Sequence, residues 1–318
     1  MKTAAEHNQP HAAKRRPLWR GLGGLLLLFL FIPFSLHSQL LWKVSGKNLP
    51  SPSYIFGTHH LIPISFLDSV PELFKTFNEC NTVVSEIVLN NIDASPQIMQ
   101  AALLPQGMAM DSLLNKDDYA FVDAELKQIL KIGLRELGLM NPSMIKTLYG
   151  LELYKQTTGF SENVQSDSYL QTLAARVDKK IIGLESVEKQ IEVLFGNKDL
   201  QHEAELLVET VRAKSQILEE INTLNTIYKA GKIDELVNMT KAKDDPLAMT
   251  DEEYAEMIDN RNFEWLEVLP DYMAASSCFI AVGALHLGGE NGLVNQLRKK
   301  GYKVTEVKET KSSKRSKK

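Results

Sequence analysis

The sequence predicts an α/β protein: a central mixed, mostly parallel sheet flanked by helices, with a helical insertion between two βαβ-like ends. Three observations carry this expectation. Short, nearly continuous apolar runs read as strands buried on both faces. The two ends of the chain repeat one plan, in which a strand runs into a glycine and is followed by a loop, a helix and a second strand. Between them lies a long stretch whose apolar residues recur every three or four positions, the spacing of a helix face.

In the first unit, residues 54–56 are apolar and stop at Gly57, a helix is expected near 70–77, and the β-branched run 82–88 follows as a strand. Residues 95–159 read as a helical block, broken near Asn141 and Pro142 because proline cannot continue a helix. A strand at 180–184 carries Ile181 and Ile182. A second helical block is expected at about 187–239, and a further helix at 251–273 opens with acidic residues that suit the positive helix end. The last unit repeats the first: a strand at 277–282 runs into Gly283, a helix is expected near 293–300, and a strand near 302–307. Such crossovers favour parallel pairing.

The chain has 318 residues, 44% hydrophobic and 24% charged, which is ordinary for a globular protein and argues against a disordered one. A formal net charge of −4 argues against nucleic acid as a main partner. Before the folded part, Lys14, Arg15, Arg16 and Arg20 precede an apolar run at 22–34 and the small residues Ser35 and Ser38. This is the pattern of a secretory signal. The run falls short of the ~20 apolar residues that span a bilayer comfortably. The chain is therefore expected to be exported, periplasmic or extracellular. Residues 1–38 act as signal peptide or as an N-terminal anchor, with membrane association through residues 22–36. Residues 39–307 form the α/β domain, with the helical insertion at about 95–275, and the Lys/Ser-rich tail 308–318 is expected to be disordered. Cys80 and Cys278 both stand just ahead of predicted strands. A disulfide and two buried thiols account for them equally well, and neither has the spacing of a zinc or thiol-redox motif.

Of the seven histidines, His7, His11 and His37 belong to the export segment. Three of the remainder fall in Gly57-Thr58-His59-His60-Leu61 and Gly283-Ala284-Leu285-His286-Leu287, both directly after an apolar strand. That is the carboxyl edge where open α/β sheets bind ligands, and the glycine permits a sharp turn or a close approach. One Gly-x-x-His would be a weak signal. Two in matching context point to a site.

Glu86 lies in a strand that should be buried, where a carboxylate is costly unless it is paired, hydrogen-bonded or bound to a metal. An ion pair with Arg261, a metal-ligand role and a general-base role each answer that cost. Glu185 poses the same question at the end of its strand. Arg261 would clamp a substrate carboxylate, steady Glu86 or Glu185, or form a surface ion pair. His202-Glu203 lacks the second histidine of a zincin helix, since Leu206 stands in that place, and reads as a solvated helix face. No phosphate loop, dinucleotide fingerprint or Gly-x-Ser-x-Gly elbow is present.

Together these residues resemble the TraB/GumN family, whose animal relatives include the TIKI metalloproteases. The resemblance runs from Leu41-Trp42-Lys43-Val44 through the first histidine turn, Val84-Ser85-Glu86, Asp167-Ser168-Tyr169-Leu170, Gly183-Leu184-Glu185-Ser186 with Gln190, and Arg261-Asn262 to the second histidine turn. It implies a fold related to erythromycin-esterase-like and ChaN-like proteins, and a metal-dependent hydrolase acting on a peptide or protein substrate. By the same resemblance His60, Glu86 and His286 hold a divalent ion, manganese or cobalt. Glu86, Glu185 and Arg261 then take the catalytic roles, and His59 stands where the family often has an apolar residue. Two other readings of the same edge are a metal-independent, esterase-like hydrolase with a histidine base, and a non-catalytic protein that binds haem or a peptide pheromone.

Overall fold

The strand Ser53–Thr58 (β2) is buried at every position, and so are Thr82–Ser85 (β3) and nearly all of Cys278–Gly283 (β5). Strands covered on both faces explain why these segments read as unbroken apolar runs. The computed structural model describes residues 40–89, 100–196, 199–242 and 248–308. Residues 1–38, most of the expected tail and the first residues of the helical block, 95–99, lie outside the described residues. Among the described residues no helix is long and apolar enough to cross a membrane.

Six strands form one sheet. With Leu41–Ser45 as β1, Lys180–Gly183 as β4 and Lys303–Glu306 as β6, the order is β4-β3-β5-β2-β1-β6. β4, β3, β5 and β2 run parallel, and β1 is antiparallel to both of its neighbours. Because β1 reverses direction and β6 reverses it again, five of the six strands point the same way. The two crossovers expected from the sequence are present, β2–helix–β3 and β5–helix–β6, but neither joins adjacent strands. β5, last but one in the chain, enters between β2 and β3. β4 is an edge strand and only half-buried, unlike the interior strands. β1 had no counterpart in the apolar pattern, because Trp42 and Lys43 interrupt its buried positions.

Helices cover the sheet. α1 (Leu73–Glu79) links β2 to β3. The block between β3 and β4 contains α2 (Lys116–Ile129), α3 (Pro142–Thr158) and α4 (Ser166–Arg176). Asn141 caps α3 by accepting the Ser143 amide, and Pro142 sits in its first turn, where its missing N–H costs nothing. The proline thus opens a helix after the expected break, and α3 ends at Gly159, whose φ of 71° suits glycine. After β4 come α5 (Val187–Phe195), α6 (Leu200–Arg212), α7 (Lys214–Lys229) and α8 (Ile233–Thr240). The helix Asp251–Tyr254 passes through a π turn, Ala255–Asp259, into α9 (Asn260–Ala275), and α10 (Leu293–Lys299) links β5 to β6.

One apolar core lies around the sheet, with Phe56, Phe279, Trp265 and Leu269 fully buried. A second lies within the helices, around Val122, Leu126, Ile145, Tyr149 and Leu207. Cys80 and Cys278 are both buried free thiols of the sheet core, where burial pushes Cys80 up to about 12 and Cys278 up to about 11.

Candidate functional site

The register of β2 and β5 sets the site. Gly57 pairs with Val282 and Thr58 with Gly283, so the two Gly-x-x-His turns leave the sheet side by side at the carboxyl edge. The turns touch closely enough to favour glycine: a Cβ on Gly57 would lie 3.1 Å from the Ala284 Cα and 3.1 Å from the Leu287 side chain. The Gly57 carbonyl accepts a hydrogen bond from the Tyr228 hydroxyl at 2.9 Å, which ties the first turn to α7. Glu86 follows β3 and Glu185 follows β4, so all four parallel strands deliver a residue to the same edge.

Arg261, on the first turn of α9, holds this edge together. It is 5% exposed. Its Nη2 donates to Glu86 Oε2 at 2.6 Å and to Glu185 Oε1 at 2.6 Å, and its Nε donates to Glu185 Oε2 at 3.0 Å. Nη1 donates to the Met257 carbonyl at 2.9 Å and faces His286 Nε2 at 3.1 Å. A guanidinium has five N–H groups, and each has a partner here. Arg261 is therefore not free to clamp a substrate carboxylate. Of the roles considered for it, the geometry gives that of steadying Glu86 and Glu185. The π turn just before α9 supplies the Met257 carbonyl, in keeping with the frequent use of such turns at functional sites.

The two glutamates differ. Glu185 has a side chain only 3% exposed, and both its oxygens are held by Arg261, with Trp265 Nε1 and Gln190 Nε2 donating as well. Glu86 is more open, at 15%, and its Oε1 accepts the Gly283 amide at 2.8 Å. Burial would raise the Glu86 carboxyl. His286, which takes up a proton only at acid pH, the Arg261 charge, the Gly283 amide and His60 outweigh it and hold it down at about 2.

The histidines differ just as sharply. His286 is 2% exposed. The amide group of Asn262 donates to the carbonyls of His286 and Asn291, which leaves its oxygen to accept from His286 Nδ1 at 2.8 Å. That fixes the proton on Nδ1 and turns the Nε2 lone pair toward Arg261. Burial, with Arg261 and His60 adding to it, keeps His286 neutral with its pKa at about 4. His60 stands at the mouth, with 56% of its side chain exposed, and its Nδ1 lies 2.7 Å from Asp167 Oδ2. Thr58 donates to the other oxygen of Asp167 at 2.5 Å. Although loss of solvent pulls His60 down, the Asp167 hydrogen bond and charge, with Glu86 behind them, raise it to about 9.

Asp167, in the first turn of α4, and Asn262, beside Arg261, lie in segments that carry the family resemblance but have no role assigned from the sequence. Both orient a histidine. Their signal was a polar residue next to a motif, which looks like a helix cap or a surface position until its burial is known. His59 packs its ring against Tyr154 and Tyr228, accepts the Leu61 amide on Nδ1, and is kept neutral by burial at about 4, so it shapes the turn. His202 is exposed at the start of α6.

The types of the donors His60, Glu86 and His286 suit a divalent ion, but their placement does not. His286 Nε2 and Glu86 Oε2 both face the Arg261 guanidinium, which stands as the cation between them. Among the described residues no three His, Cys, Asp or Glu side chains converge as a ligand set. As arranged, the residues do not fit a metal.

Residues 40–306 match the TraB/PrgY/gumN family. The chain is distantly homologous to animal metalloproteases. It is 26% identical to Metalloprotease TIKI1 of Xenopus tropicalis over 321 residues, covering 84% of this chain and 61% of the relative. It is 26% identical to Metalloprotease TIKI1 of Danio rerio over 330 residues, covering 86% and 64%, and 25% identical to Metalloprotease TIKI2 of Danio rerio over 313 residues, covering 84% and 60%. The chain thus spans about three fifths of the length of these curated relatives. No solved structure gives a significant match.

Proposed function

The chain belongs to the TraB/PrgY/gumN family, and from its site we propose that it is a hydrolase of peptide bonds, with His60 and Glu86 as its acid and base. The observation that carries this reading is the pair of ionisable groups at one strand edge, an exposed His60 held 2.7 Å from Asp167 and a Glu86 held 2.6 Å from Arg261, contacts that raise the one and lower the other. Neighbouring groups pushed apart in this way are the pattern of an acid–base pair. The peptide bond as substrate is taken from the name of the relatives, metalloprotease.

At neutral pH Glu86 is ionised, and it is the more open of the two carboxylates, 15% exposed against 3% for Glu185, which places it to accept the proton of an attacking water. His60 is protonated and exposed, in place to stabilise the oxyanion and then donate its proton to the leaving amine. Asp167 keeps the imidazole turned with its Nε2 outward and holds it in the acid form. Arg261 positions Glu86, and Asn262 positions His286.

The sign of the pH dependence follows. The acid form of His60 exists below its raised pKa, so cleavage is expected to fall as pH rises through about 9. Glu86 stays ionised down to about 2, so its own titration puts no acid limb near neutrality. Replacing Asp167 with Asn removes the raising charge, and the alkaline limb should move down toward the ordinary histidine value of about 6.5. The pH–rate profiles of wild type and Asp167→Asn check this. An unmoved limb removes Asp167 from the mechanism.

A second reading, metal-dependent hydrolysis, is favoured by one feature. Both imidazoles have Nδ1 held by a side-chain oxygen, as histidines that bind metals do, although Nε2 of His286 faces Arg261. Manganese or cobalt at His60, Glu86 and His286 would supply polarisation of the carbonyl, and it would require Arg261 to leave His286. Chelation separates the readings. The acid–base account expects cleavage unchanged by exhaustive chelation, whereas loss of cleavage restored by manganese or cobalt would replace it with the metal reading.

A further inference from the structure

A cleft of about 370 Å³ opens between α5 and the π turn leading into α9, and the buried Arg261 of the catalytic edge is part of its lining. The size falls within the range of small-ligand and side-chain pockets. Two helix faces build it. On α5, Lys189, Glu192 and Val193 follow the three-and-four spacing of one face. Across from them Glu256, Asn260, Phe263 and Glu264 do the same.

The charges do not cancel. Lys189 pairs with Glu264 at 3.3 Å, and Arg261 is neutralised by Glu86 and Glu185. The carboxylates of Glu192 and Glu256 have no ion-pair or hydrogen-bond partner among the described residues. The cleft therefore keeps two unbalanced carboxylates, one on each wall. Phe263, 43% exposed, adds an apolar aromatic surface to the same lining. Carboxylates beside an exposed ring suit a cation on an apolar stem: the stem lies against the ring and the charge meets the carboxylates.

We propose that this cleft is the specificity pocket of the hydrolase and takes a lysine or arginine side chain of the peptide substrate, with Glu192, Glu256 and Phe263 as its determinants. The inference rests on the peptide-hydrolase reading, because it takes the cleft as a subsite of the edge that Arg261 joins. It is distinct from that reading in its test. Both glutamates are exposed, so substitution there leaves the fold intact.

The test measures binding and cleavage separately. Two fluorescein-labelled octapeptides that differ only in one central residue, Lys or Glu, are titrated by anisotropy onto the full chain carrying His60→Ala, which slows cleavage enough for binding to be read. The Lys peptide is expected to bind about fivefold more tightly, the upper end for one partly exposed charge contact. Adding Glu192→Gln and Glu256→Gln together should bring the ratio close to one, and Glu256→Lys should turn the preference toward the Glu peptide. Equal binding of the two peptides, binding of neither, or a Lys preference that survives the double substitution overturns the assignment. The hydrolase reading fails by another outcome: wild type that distinguishes the peptides but cuts neither leaves the cleft standing and removes the peptidase.

Discussion

Arg261→Met is expected to destabilise the protein by about 3–5 kcal/mol, the usual cost of removing one partner from a buried ion pair. The guanidinium reaches Glu86, Glu185, His286 and the Met257 carbonyl, and methionine of similar length replaces none of these bonds. Two carboxylates are left facing one another in a nearly closed site. Against a typical total stability of about 5–15 kcal/mol this is a large fraction. The effect should depend on pH with a definite sign. In the wild type Glu86 is depressed to about 2, so its ion pairs contribute fully above the unfolded carboxyl value and are lost as pH falls through about 2. In the variant the uncompensated carboxylates take up protons above the ordinary carboxyl value of about 4.5 and lose their penalty, so the gap between the two proteins begins to narrow before that pH is reached and narrows further as the wild-type pairs are lost toward about 2. Denaturant unfolding at pH 7 and pH 4 checks this. A gap under 1 kcal/mol at pH 7 would show that the cluster does not hold the edge together. Arg261→Lys should recover only part of the loss, because an ammonium cannot reproduce the planar fork that spans both glutamates.

His60→Ala is expected to lower kcat for peptide cleavage by about 10²–10⁴-fold, the range for loss of a general acid. The loss of stability should be much smaller than for Arg261→Met, because the side chain is 56% exposed and its main partner, Asp167, keeps its bond from Thr58. The contrast with Arg261 is the point of the comparison. One residue sits at the mouth and acts on substrate, and the other lies beneath it and keeps Glu86 in place. If His60→Ala cleaves at the wild-type rate, His60 is not the acid.

Much of the fold was legible in the sequence, because buried parallel strands leave unbroken apolar runs and the helices leave their spacing. β2, β3 and β5 are the clearest cases. β1 was not legible, since Trp42 and Lys43 disturb its pattern and its place depends on pairing with β6 near the other end of the described chain. The strand order was equally hidden. Insertion of β5 between β2 and β3 is a long-range event with no local trace.

At the site, the scarcity of histidines made the two turns visible, and the cost of a buried carboxylate marked Glu86 and Glu185. The state of Arg261 could not be read, because its partners lie 76 and 175 residues away and spacing does not reveal which donors are already taken. Asp167 escaped for a related reason. An acidic residue in the first turn of a helix is ordinary, and only its 2.7 Å approach to His60, across 107 residues, gives it another role.

The central claim is that the His60 turn and the Glu86–Arg261 cluster work as one site. The most direct measurement is a double-mutant cycle on kcat/KM for a peptide cleaved by the wild type, using His60→Ala, Glu86→Gln and the pair together. Residues that act as a unit lose little more together than the worse of them loses alone. The account predicts that the double variant falls within about threefold of the weaker single variant. Losses that multiply, so that the double variant is as slow as the product of the two single effects, would contradict it.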